Sequence, residues 1–237
     1  MKPLTSRRHF LKTSSQAVAT LASVNLLTSK SRAQAPLVIG HGDFRYEVSA
    51  AWGDLDPAKH PVANCHEMTE DSKGRLILFQ TDPKNNILIY SKSGELLDSW
   101  GTDYPGAHGL DIVDENGEEF LFLTDVKKSE VYKTTLDGKV VMTLGRPDLE
   151  VYADPKAPFK PTNVMPAPDG TFYVGDGYGS SWVMHYSADG KLLNHFGGKG
   201  TDDKSLNTPH GGIVDTRDAA NPTLMIASRS DNALKRF

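Results

Sequence analysis

Four segments of this chain can be written under one another, and no other feature constrains its fold as much. The first is ANCHEMTEDSKGRLILFQTDPKNNILIYSKSGELLDSWG (63–101) and the second is GAHGLDIVDENGEEFLFLTDVKKSEVYKTTLDGKVVMTLG (106–145). The third is PTNVMPAPDGTFYVGDGYGSSWVMHYSADGKLLNHFGG (161–198) and the fourth is TPHGGIVDTRDAANPTLMIASRSDNALKRF (208–237). Each complete unit has an acidic or Gly-containing turn (DSKG, ENGE, PDG) and a short apolar run (LILF, FLFL, TFYV). A polar turn with Asp (TDPKNN, TDVKKS, GDGYGS) leads to a second run (ILIYS, EVYKT, WVMHYS). A tight turn (KSGE, LDGK, ADGK) leads to a last one (LLDSWG, VVMTLG, LLNHFG). Glycine supplies the positive φ that tight turns need, so these pairs mark hairpins. No stretch after the N-terminal segment has helical periodicity. One four-stranded antiparallel sheet per unit, packed radially, predicts an all-β fold, a β-propeller. The region 62–237 then holds three complete blades and a partial fourth, joined to the N-terminus by a lead-in over 36–61.

The N-terminus reads as an address. Arg7 and Arg8 are followed by Phe10, Leu11 and Lys12, then by a modestly apolar run from Ala17 to Thr28, then by Ala33-Gln34-Ala35. A charged start, a short apolar middle and an A-x-A end make a secretory signal, not a membrane span. The arginine pair resembles the twin-arginine (Tat) signal, which a receptor reads. The expectation is a signal over 1–35, export by the Tat machinery, and a periplasmic or extracellular mature chain with no stable membrane insertion. Six of the 26 basic residues and none of the 30 acidic ones lie in 1–35, so the formal charge of −4 would become −10. So acidic a protein is a poor match to nucleic acid. With one cysteine, Cys65, an exported chain has no internal disulfide. Its stability comes from a core or a bound ion; Cys65 reads as a buried small side chain or a soft ligand.

Histidine recurs in one frame. His66, His108 and His210 sit at the start of units one, two and four, and Asn163 takes that place in unit three. In a propeller this place lies at one end of the central channel, where residues 42 and 102 positions apart meet. Imidazole suits zinc, and three histidines leave a fourth position open. The competing reading is that these side chains only hydrogen-bond neighbouring loops. Glu67 and Glu70 read as solvated turn residues. No P-loop or G-x-S-x-G occurs.

The pattern DGYxxxxVxxYSxDGKxL resembles the NHL-type propeller repeat, whose rings usually have six blades. The resemblance implies that the chain is a fragment of a six-bladed ring; an open four-blade stack is the alternative. PGAHGLDIV with LTDVKKSEVYK, TLGRP with FKPTNV, YVGDGYGSSWVMHYSADGKLL, and LNTPHGGIVD with IASRSDNALKRF resemble peptidyl-α-hydroxyglycine α-amidating lyase in family order. That resemblance implies a lyase that splits a peptidyl-α-hydroxyglycine at its C–N bond, with an axial zinc and a structural calcium. It places two zinc histidines on His108 and His210, and the third beyond Phe237. It places the catalytic base on Tyr178 and a substrate-facing arginine on Arg229. Leu110 falls on a position whose carbonyl helps bind calcium, and Met68 supplies another such group. Zinc lowers the pKa of a substrate hydroxyl, a tyrosine oxygen takes the proton, and arginine holds a carboxylate.

Alternatives remain for each. Tyr178 is also an aromatic of the kind that packs at blade turns, and Arg229 also fits a salt bridge to Asp231 or Asp176. The family's second arginine is replaced by Gln80 and Thr81, its cysteine by Gly179, and His66 has no family counterpart. Two functions follow: a zinc-dependent lyase acting on a small or peptide-derived hydroxy compound, or a non-catalytic propeller that binds a protein or glycan partner.

Overall fold

The computed structural model describes residues 37–50 and 52–237. The signal expected over 1–35 lies outside them. The chain divides into two units, residues 1–50 and 51–237. In the first, β1 (Leu37–His41) and β2 (Phe44–Val48) form an antiparallel hairpin.

The second unit is the repeat made solid. Blade 1 comprises β3 (Glu67–Glu70), β4 (Leu76–Phe79), β5 (Ile87–Tyr90) and β6 (Leu96–Trp100). Blade 2 comprises β7 (Ala107–Glu115), β8 (Glu118–Asp125), β9 (Glu130–Thr135) and β10 (Val140–Leu144). Blade 3 comprises β11 (Asn163–Pro166), β12 (Phe172–Gly175), β13 (Trp182–Tyr186) and β14 (Leu192–Gly197). Blade 4 has β15 (Pro209–Asp215), β16 (Thr223–Ser228) and β17 (Ala233–Arg236). Every sheet is an antiparallel meander in chain order, three of four strands and one of three. This is a four-blade β-propeller arrangement. The hairpin turns expected at Gly94, Gly138 and Gly190 are present, each glycine with φ between 82° and 92°. The end of the lead-in packs on blade 1, where the Trp52 indole N–H donates to the Lys92 carbonyl at 2.9 Å.

The core is a series of blade-to-blade interfaces, as the alternation of side chains along a strand requires. In β8, Leu121 and Leu123 join Ile77, Phe79, Ile87 and Ile89 of blade 1. Phe122 between them points the other way and joins Val164, Phe172, Val174 and Met184 of blade 3. Met165 and Val183 repeat the arrangement against Leu224 and Ile226 of blade 4. Each such large side chain, fully removed from water, contributes about 1.5–3 kcal/mol. Cys65 is free and exposed, not the buried side chain expected, because it precedes β3 instead of lying in it. Among the described residues no helix is long and apolar enough to cross a membrane.

One buried polar residue per blade ties the entering chain to the second strand. Gln80, Asp125, Asp176 and Ser228 are all fully buried. Each side chain accepts a backbone N–H from the connection that enters its blade: Ala63, Gly106, Lys160 and Asn207 respectively. Gln80 also donates to the Pro61 and Asn85 carbonyls. It therefore stands where an anchor stands in the other blades, facing its own backbone.

Candidate metal centre

Strand register gathers the site. Ala107 pairs with Asp125 and Pro209 with Ser228, so the entry of a blade and the turn after its second strand lie at one end. The first strands of neighbouring blades pack side by side, β3 on β7, β7 on β11 and β11 on β15. Residues entering those strands therefore converge. His66, His108 and His210 form a cluster whose ligand atoms all lie within 4.8 Å of one another. Irregularities in the β7–β8 and β15–β16 register fall at His108 and His210, and such bulges re-aim side chains.

The frame needs one amendment. Asn163 pairs with Gly175 as Glu67 pairs with Phe79. The residue matching His66 is therefore Thr162, whose N–H bonds the Gly175 carbonyl as that of His66 bonds Phe79. Thr162 works on both neighbouring histidines. His108 Nδ1 lies 2.7 Å from its carbonyl oxygen. A carbonyl only accepts, so Nδ1 carries the proton and Nε2 the lone pair. The Thr162 hydroxyl donates to the Pro209 carbonyl, one residue before His210, at 2.7 Å. Gly109 and Gly177 allow this approach: a Cβ on Gly109 would lie 2.6 Å from the Thr162 oxygen, and one on Gly177 would overlap the Pro209 carbonyl.

His108 Nε2 is buried and has no hydrogen-bond partner among the described residues. An orphaned imidazole nitrogen with its tautomer fixed from behind is the arrangement of a metal-ligating histidine. Burial first, and then nearby His66, His210 and Arg229, push His108 down to about 4, against the hydrogen bond that its Nδ1–H donates to the Thr162 carbonyl. Burial lowers His66 and His210 as well. Neutral imidazole is the ligating form, so the donor set fits a borderline-soft cation such as zinc. The His108 and His210 ring centroids are 4.9 Å apart. Two imidazoles on one tetrahedral ion hold their centroids at roughly 5 Å.

Tyr178 and Arg229 join this cluster. Tyr178 is half-exposed in the turn after β12, fixed by Asp176, which accepts from Ser180 N–H and Tyr152 hydroxyl at 2.6 and 2.8 Å. The Tyr178 oxygen is 2.7 Å from His210 Nε2, and Arg229 Nη1 donates to it at 3.0 Å. The guanidinium carbon lies 5.1 Å from the centre of the Tyr178 ring. Among the described residues Arg229 makes no ion pair; Asp231 takes Ser228 and Lys235 instead. Leu110 and Met68 lie on β7 and β3, whose strands adjoin. The Leu110 N–H donates to Glu67 Oε2 at 2.7 Å, so Glu67 is not the solvated residue expected. Burial raises the carboxyl pKa of Glu67, and neighbouring Asp111 is pushed up to about 6 by burial. Thr162 and Glu67 were missed by sequence reasoning. For Thr162 the one available signal was the repeat frame, read a residue late.

Fold and site together define a β-propeller with a histidine cluster at the entry to its first strands. No family model matches the chain. It is 36% identical over 110 residues to a probable peptidyl-alpha-hydroxyglycine alpha-amidating lyase of Caenorhabditis elegans, covering 45% of this chain and 30% of that protein. It is 31% identical over 153 residues to peptidyl-alpha-hydroxyglycine alpha-amidating lyase 2 of Drosophila melanogaster, covering 59% and 36%. The chain thus spans about a third of the length of these relatives. A streptogramin B lyase structure superposes with a TM-score of 0.55 at 14% identity, over 75% of this chain and 52% of that one. A catalytically inactive virginiamycin B lyase from Staphylococcus aureus with quinupristin gives 0.50 at 14%, over 74% and 55%. At that identity the likeness shows the fold. The chain is a propeller similar in sequence, over about half of its length, to the amidating lyases.

Proposed function

We propose that this chain is part of an exported, zinc-dependent lyase that cleaves the C–N bond of an α-hydroxyglycine-type substrate, small or peptide-derived. The observation that carries the reading is the Tyr178 hydroxyl, held between His210 Nε2 and Arg229 Nη1 beside the orphaned Nε2 of His108. The reading includes an NHL-type six-bladed ring and Tat export to the periplasm, supported by the repeat and by Arg7-Arg8.

His108 and His210 would hold the zinc, which supplies a Lewis acid for the substrate hydroxyl. Tyr178, entering as the phenolate with its own proton already released, would take the hydroxyl proton. As that O–H bond breaks, the carbon–oxygen bond becomes a carbonyl, the C–N bond breaks, and the electron pair leaves with the amide nitrogen. The nitrogen takes that proton back from Tyr178, so the products are an amide and glyoxylate. Arg229 commits one N–H to Tyr178 and keeps four for the substrate carboxylate. Its planar fork suits a carboxylate held by two parallel bonds.

A structural calcium, with Leu110 and Met68 among its ligands, belongs to the same proposal. The Glu67 carboxylate at the Leu110 N–H supports it, because it puts anionic oxygen at that strand edge. The test is glyoxylate release from an N-acyl-α-hydroxyglycine by the zinc-loaded protein. Release lowered by about 10²–10⁴ in Tyr178→Phe is expected. No release from the wild type, with zinc bound, overturns the lyase and leaves a binding propeller.

A further inference from the structure

We propose that His66 is a further ligand of this metal site, so that the first, second and fourth blades each supply a histidine. The proposal rests on the metal centre assigned to His108 and His210. The lyase resemblance puts no histidine at His66, and its own third ligand falls on no described residue.

The register makes His66 the counterpart of His108 and His210. Its N–H bonds the Phe79 carbonyl as that of Thr162 bonds Gly175, so it enters its blade at the same step. The third blade puts Thr162 there, whose carbonyl orients His108 from behind. The ring arrangement gives the three imidazoles unequal standing. His108 and His210 are 4.9 Å apart and His66 and His210 5.9 Å, both near the separation of about 5 Å that two imidazoles on one tetrahedral ion require. His66 and His108 are closer, 3.6 Å at an interplanar angle of 33°, a tilted ring-on-ring contact. His108 is buried and tied to Thr162, whereas His66 is exposed, follows exposed Cys65, and comes two residues after Asn64 with its φ of 47°. His66 is the more exposed ring, with a hydrogen bond to the His108 backbone to give up before it turns. On metal entry it would leave that contact and present a nitrogen to the ion.

The competing role is the ring contact alone, and a phenylalanine separates the two. A phenyl ring at 66 keeps the contact with His108 and cannot ligate. The test titrates the metal-free chain with zinc and with cobalt(II), in wild type, His66→Ala, His66→Phe, His108→Ala and His210→Ala, each with its far-UV spectrum checked. Cobalt adds a visible band that reports the donor set. One ion per wild-type chain is expected. Affinity in both His66 variants should fall by more than the roughly 10–100-fold that loss of an outer-shell partner costs, with a changed cobalt band. If His66→Phe restores wild-type affinity and band, His66 packs on His108 and does not ligate, and the inference fails. If both His66 variants bind as wild type while His108→Ala and His210→Ala do not, the inference fails and the metal centre stands. If the wild type binds neither ion, the metal centre itself falls and takes the inference with it.

Discussion

The Tyr178 hydroxyl lies 2.7 Å from His210 Nε2, although the two residues belong to different blades and are 32 positions apart. Arg229, from the turn that follows β16, closes the group by donating to the same oxygen. Three residues that the chain spreads over two blades share one hydrogen-bond centre because blade entries and second turns lie at one end of every sheet.

Arg229→Lys tests the carboxylate role. A lysine keeps the charge but loses the parallel pair of donors and the contact with the Tyr178 ring. Steady-state kinetics should show KM rising by about 10-fold or more, and an amide-capped substrate without a carboxylate should show no such difference. An equal loss on both substrates would assign Arg229 to holding Tyr178.

Thr162→Val removes the hydroxyl that donates to the Pro209 carbonyl and leaves the carbonyl that orients His108. Zinc affinity, read by competition with a chromophoric chelator, should fall by about 10-fold, the low end for an outer-shell partner. Thr162→Ser should keep wild-type affinity.

Asp176→Ala removes the acceptor for Lys160 N–H, Ser180 N–H and the Tyr152 hydroxyl. Burial raises the Asp176 pKa, and these bonds hold it back. Leaving buried donors unpaired costs about 1–3 kcal/mol each, so urea unfolding should show a loss of about 3 kcal/mol or more. Asp169→Ala, in an exposed turn, should stay within about 0.5 kcal/mol.

One buried and one half-buried group give the metal-free protein opposite pH dependences. His108 sits at about 4 against 6.5 in the unfolded chain, so the unfolded state binds the proton first, and stability is lost as pH falls from 6.5 towards 4. Asp111 sits at about 6 against 3.8, so the folded state binds the proton first, and stability is lost as pH rises through that window. Asp111→Asn should therefore raise stability at pH 8 by up to about 3 kcal/mol, and the gain should vanish below about pH 4. Urea midpoints of both proteins across this range check the sign.

The blades were readable from the chain because glycine turns and short apolar runs between them are local signals, as at Asp137-Gly138 and along Phe120–Leu123. The convergence of His66, His108 and His210 was readable because a repeat puts equal frames at equal places. Thr162 was not, because its part is played by a carbonyl oxygen, which every residue has, and by register after the long 145–161 connection. Gln80 read as a missing arginine because its neighbours in space, Ala63 and Pro61, are fixed by the fold and carry no motif. Glu67 looked solvated because nothing in its own strand names Leu110, 43 positions on, as its partner.

The central claim is an ion held by imidazoles from separate blades, and zinc K-edge X-ray absorption of the zinc-reconstituted protein tests it most directly. The expected spectrum has nitrogen neighbours at about 2.0–2.1 Å with the outer-shell scattering of histidine rings, and that scattering disappears in a His108→Ala, His210→Ala double variant. A spectrum with oxygen neighbours alone, or one unchanged in the double variant, would contradict the account.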